Sequence, residues 1–208
     1  MNFNMNLWDE TEAKEFGEFE TLELGGHELI IMDAREYKNQ DNGNVSLKVS
    51  VDVAGNDKQA GFFQRQFDNN TNKEKKWSSG ATKYMSLKDE QLAYLKGFIT
   101  ALEKSNPNFK FNTKSTWEQL KGLKIAGQFG WEEYQDSEGK TKVATKLIQF
   151  RSLEKLAEIP VPKVKLLDGT TMAMEEYEKA RQSKTQNNAP NPFATLGDVV
   201  EIDDAFLD

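Results

Sequence analysis

The chain has 208 residues, 37% of them hydrophobic and 29% charged, with one histidine and no cysteine. Disulfides, thiolate metal sites and thiol nucleophiles are excluded, and no apolar run approaches the roughly 20 residues that span a bilayer. The formal charge of −7 argues against nucleic acid until it is divided along the chain: residues 1–23 and 168–208 each sum to −6, which leaves +5 on residues 24–167.

The opening residues Met1 to Asn6 lack the basic and apolar regions of a signal peptide. Residues 1–23 read as an acidic N-terminal arm with scattered aromatics. A body is expected over 24–167, and a short helix with an acidic, disordered tail over 168–208. Within the body, His27 to Tyr37 reads as strand one and Lys38 to Asn44 as a turn. Val45, Leu47, Val49, Val51 and Val53 alternate with polar residues, the mark of a half-buried second strand. Gly61 to Phe67 reads as strand three, with Phe63, Arg65 and Phe67 on one face. A polar loop carries Lys75, Lys76 and Trp77.

Ser86, followed by Asp89, is a candidate N-cap for a helix in which Leu92, Leu95, Ile99 and Leu102 follow three-four spacing. Asn106-Pro107 ends it, and Trp117 to Leu123 suits a second short helix. Lys124 to Tyr134 and Lys140 to Arg151 read as a hairpin around Asp136 to Gly139. Leu153 to Leu167 reads as an extended strap, Thr171 to Lys184 as a short helix, and Gln182 to Pro192 as disordered. The order β-β-β-α-β-β predicts a mainly β fold, a β-barrel of the OB type with its helix between strands three and four.

Catalytic parts are scarce. A lone His27 on a strand is an ordinary structural residue, and neither phosphate-binding nor dinucleotide-binding glycine motifs occur. Glu132 and Glu133 are adjacent, so on a strand they face opposite ways. Glu138-Gly139-Lys140 resembles part of a nuclease site but lies in a turn. No enzyme activity, metal or cofactor is expected.

Single-strand binders combine a basic groove for phosphates with aromatic faces for bases. The candidate nucleic-acid-binding residues are Lys38, Lys48, Phe63, Arg65, Phe67, Lys75, Lys76, Trp77, Trp131, Tyr134, Lys140, Lys142 and Lys146, with Lys83, Tyr84 and Arg151 nearby. Phe63 and Phe67 fit a core equally well, and Trp131 suits the core better than a ligand face. The tail ends in an acidic-apolar mixture, in which Ile202, Asp203, Asp204, Phe206 and Leu207 are candidates for a partner's basic pocket.

Several blocks, taken in order, carry a resemblance. They are Gly25-Gly26, the helix block Lys96 to Pro107, Leu120-Lys121-Gly122-Leu123, Glu132-Glu133-Tyr134, Gly139-Lys140-Thr141-Lys142, Arg151-Ser152 and Val161-Pro162. The chain resembles a family of single-stranded-DNA-binding-like proteins encoded by phages and integrative elements of Gram-positive bacteria, over about residues 25–165. The resemblance implies an OB-like body, an acidic tail, and DNA binding beside phage recombinases in the cytoplasm of a bacterial host. It supplies no residue-by-residue binding motif. The expected function is sequence-independent binding of single-stranded DNA in phage replication and recombination. The tail would recruit a recombinase, helicase or polymerase, with no membrane partner and with homo-oligomerisation open. The alternative is an acidic protein-interaction module that mimics DNA and inhibits a host nuclease.

Overall fold

The computed structural model describes residues 20–188. The tail candidates Ile202, Asp203, Asp204, Phe206 and Leu207 lie outside them, as do residues 1–19 of the arm.

Two long strands begin the body, β1 (Gly25–Lys38) and β2 (Val45–Val53), paired antiparallel. Leu29 and Ile31 of β1 point into the core, and a bulge at Met32 then changes the phase of the alternation. Beyond it Ala34 is the inward residue, opposite Val49, while Asp33, Arg35 and Tyr37 face out opposite Ser50, Lys48 and Ser46. Leu47, Val49, Val51 and Val53 are all buried, as period two requires.

The segment expected as strand three is instead the helix α1 (Phe62–Asp68). Gly61 enters it at φ 70°, a left-handed conformation in which glycine carries no steric penalty. The buried Asp52 carboxylate accepts the Phe63 N–H at 2.9 Å and so satisfies one of the free amides of the first turn. A strand would send Phe62 and Phe63 to opposite faces. The helix buries both, at 3% exposure each.

The third strand of the sheet is β3 (Thr82–Ser86), paired with β2 through Lys48↔Tyr84 and Leu47↔Met85. Ser86 therefore ends a strand, and its hydroxyl accepts from the Lys88 N–H. The helix α2 (Leu92–Ser105) starts later, after a 3₁₀ turn at Asp89–Gln91. Phe98 and Leu102 of α2 are buried. Asn106 fastens the end of α2 to the sheet: its amide donates to Leu102 O and Lys124 O, and its oxygen accepts from Lys124 N. A 3₁₀ turn at Trp117–Leu120 leads into β4 (Lys124–Gln135), which pairs with β5 (Thr141–Arg151) as the expected hairpin.

After β5 comes a 3₁₀ segment, Leu153–Glu158, in place of the first part of the extended strap. Two short strands, β6 (Val164–Lys165) and β7 (Thr171–Met172), precede the helix α3 (Met174–Asn188). Gln182 to Asn188, expected to be disordered, continue that helix.

The strands of the described residues make one mixed sheet of seven. It runs β3-β2-β1-β4-β6-β7, with β5 on the other side of β4 and β6 parallel to β4. The sheet curls around a core centred on Phe129, Leu29, Ile31, Leu47, Ile125 and Leu102, but no strand ladder closes β3 onto β5. Side chains bridge that seam instead. Lys83 Nζ donates to Ile148 O at 2.6 Å and Lys146 Nζ to Ser79 Oγ at 3.0 Å. At Gly80 a Cβ would stand 2.5 Å from Thr145 O.

Candidate nucleic-acid interface

The open seam forms a concavity. β3 supplies one wall, α2 another, and β5 with the 3₁₀ segment after it supplies the third, around a volume of about 770 Å³. Among the described residues four cations line it, Lys83, Lys104, Arg151 and Lys155, and no carboxylate does. Its floor is the buried Phe98 against Phe150, ring centroids 4.8 Å apart. Its rim carries Tyr84 and Tyr94, 49% and 79% exposed, so both present ring surface to solvent.

The sequence places these groups through two patterns. On α2, Tyr94, Gly97, Ala101 and Lys104 recur at three-four spacing beside the core stripe Leu95, Phe98, Ile99 and Leu102. On the sheet, the edges of β3 and β5 face the gap. Tyr84 continues outward into the row Arg35, Lys48, Tyr84, and its ring meets Tyr37 edge-on at 5.2 Å.

Charge in the groove is partly committed. Lys104 reaches Glu154 at 3.6 Å, whereas Arg151 and Lys155 have no carboxylate within ion-pair distance among the described residues. Burial lowers the pKa of Lys83, an effect that Glu132 opposes and Lys165 reinforces.

No protein-family model matches the chain, and no curated protein matches it.

The thirteen nucleic-acid candidates from the sequence do not form one site. Phe63 is core, 5.6 Å from the Phe129 ring, and offers no face to a base. Arg65, paired with Glu20 at 2.7 Å, also donates to Ala60 O. Phe67 and Trp77 pack on each other at 5.7 Å; the Trp77 indole donates to Val51 O, and Lys75 lies over Phe67. Lys76 is exposed in that loop. The change from strand to helix disperses this group.

At the hairpin, Trp131 and Tyr134 lie on opposite faces of β4. Lys140 pairs with Glu138, and Lys142 with Asp136, each at 2.8 Å. The hydrogen bond between Lys142 and Asp136 raises the pKa of the ammonium and lowers that of the carboxyl. Lys146 is held at Ser79, and Lys38 ends β1 in solvent. Lys48 alone lies beside the groove, through its register with Tyr84.

His27 is 4% exposed. Its Nε2 donates to the Glu23 carbonyl at 2.9 Å, and its Nδ1 is 3.1 Å from Asp57, so it ties the start of the body to the turn after β2. Among the described residues no group of three or more histidines and carboxylates could hold a metal ion. No described helix is long and apolar enough to cross a membrane.

Proposed function

We propose that this chain is a non-enzymatic, sequence-independent single-stranded-DNA-binding protein. Its strand would lie in the groove between β3, α2 and β5. The observation that carries the reading is the groove's lining among the described residues: four cations, no carboxylate, and exposed tyrosines at the rim. Cations neutralise phosphates, and aromatic faces stack on bases whatever their identity. The strand order β3-β2-β1-β4-β5, with a helix between β3 and β4, supports an OB-type body opened at the seam where a closed barrel would join β3 to β5. In keeping with the resemblance to phage-encoded proteins, the setting we propose is phage replication and recombination in a bacterial cell. The acidic tail at Ile202, Asp203, Asp204, Phe206 and Leu207 would recruit a partner enzyme there.

Fluorescence anisotropy with a labelled thymidine strand and a duplex of equal length tests the reading. Single strand should bind and duplex should bind weakly. The variant Lys104→Glu/Arg151→Glu/Lys155→Glu should lose roughly 100-fold in affinity at low salt, because each phosphate contact is electrostatic. Lys76→Glu/Lys140→Glu, changed away from the groove, should lose less than about twofold. Wild-type affinity in the groove variant overturns the assignment of the site. Absence of binding to either probe overturns the function and favours the protein-interaction module.

A further inference from the structure

The far end of the β4–β5 hairpin holds a second arrangement of rings and charges. Trp131 shares a face of β4 with the core residue Phe129 and with Glu133. The helix α3 crosses that face. Among Met174 to Arg181, only Tyr177 is buried. Its ring meets Trp131 edge-on at 6.3 Å, and its hydroxyl donates to Glu133 Oε1 at 2.8 Å. Burial first, and then the Glu133 bond, raise the pKa of this phenol to about 12. One turn further on, the Arg181 guanidinium lies over the Trp131 ring, 5.7 Å from its centroid.

The helix sequence, MEEYEKARQSKTQNN, is mostly polar, and over 174–181 Tyr177 is its one fully buried side chain among the described residues. Elements held by few buried contacts open at low free-energy cost. Between helix and hairpin lies a cavity of about 530 Å³, bordered by Trp131, Tyr134, Lys142, Tyr177 and Arg181, with one carboxylate, Glu133, among the described residues.

We propose that Trp131 is a second base-stacking position, covered in this structure by α3. Arg181, a planar cation on an indole face, occupies the place that a nucleobase takes when a single strand displaces the helix. Lys142, on the hairpin that stays in place, then stands beside the backbone phosphates. The ligand is a strand long enough to run from the groove to the hairpin, so the inference rests on the groove reading for delivery of that strand. It does not need the groove for the chemistry at Trp131.

The test uses the full chain with long and short thymidine oligonucleotides. Amide hydrogen exchange in residues 174–181 should accelerate when the long strand binds. Tyr177→Ala/Arg181→Ala should bind the long strand roughly fivefold more tightly, with stronger indole quenching. Adding Trp131→Ala should remove that gain, and Trp131→Phe, which keeps a ring, should restore much of it. Unchanged or slowed exchange, with unchanged affinity in the double variant, overturns the proposal and leaves the groove reading intact. If the groove reading fails instead, the wild type does not bind. The double variant would still show Trp131-dependent quenching by the short strand. Loss of both signals overturns both.

Discussion

Lys83 holds the seam and lines the groove at once. Its ammonium donates to Ile148 O, and burial lowers its pKa from 10.5. The fold therefore disfavours the protonated form, and Lys83 gives up its proton at a lower pH than a solvated lysine does. Its charge contribution to strand binding is complete below the lowered value and is lost as pH rises through it, before 10.5 is reached. At neutral pH, Lys83→Gln should bind a thymidine strand roughly threefold more weakly than the wild type. The two affinities should converge as pH rises, at a lower pH than the titration of a solvated lysine would give, which anisotropy at stepped pH would measure. A constant ratio would mean that Lys83 keeps its charge or never touches the strand. Residue identities alone point to Lys83, Tyr84 and Arg151, but not to Tyr94, Lys104 and Lys155. Burial decides such cases: Phe63 and Tyr94 are both aromatic and lie near cations in the sequence, yet one is core and the other is 79% exposed.

Among the elements, β1, β2, the hairpin and the main helix were readable because their apolar periods are long and unmixed. The segment Gly61 to Phe67 was not. Over so few residues, Phe63 and Phe67 fit period two and the four-residue spacing of a helix equally well. What settles it is tertiary: the Asp52 carboxylate that takes the Phe63 amide lies a strand away. The short β3 was hidden for a related reason, since five half-exposed residues at a sheet edge carry little alternation. The stripe Tyr94, Gly97, Ala101 and Lys104 is legible from spacing alone, as a second face of the same helix. The seam between β3 and β5 has its own test. Gly80→Ala places a methyl 2.5 Å from Thr145 O, which is backbone and cannot swing aside. The substitution should cost about 1–3 kcal/mol in denaturant unfolding. Unchanged stability would show that the two edges approach each other less closely than this.

For the molecule as a whole, the partition of charge was the most informative sequence feature. A chain of net −7 holds a body of +5, and in the fold four of that body's cations converge on one groove with no acid in its lining among the described residues. The mainly β character and four of the strands could be anticipated; the place of β3, the added strands β6 and β7 and the open seam could not, because closure depends on whether two distant edges meet in register. That seam is also where the ligand is proposed to lie, so architecture and function rest on the same gap. The dependence of thymidine-strand affinity on salt tests this most directly. If the four cations contact phosphates, the logarithm of affinity should fall against the logarithm of salt with a slope of roughly −3, and Arg151→Gln should flatten it by about 0.7. A slope near zero, or one that Arg151→Gln leaves unchanged, would contradict the account.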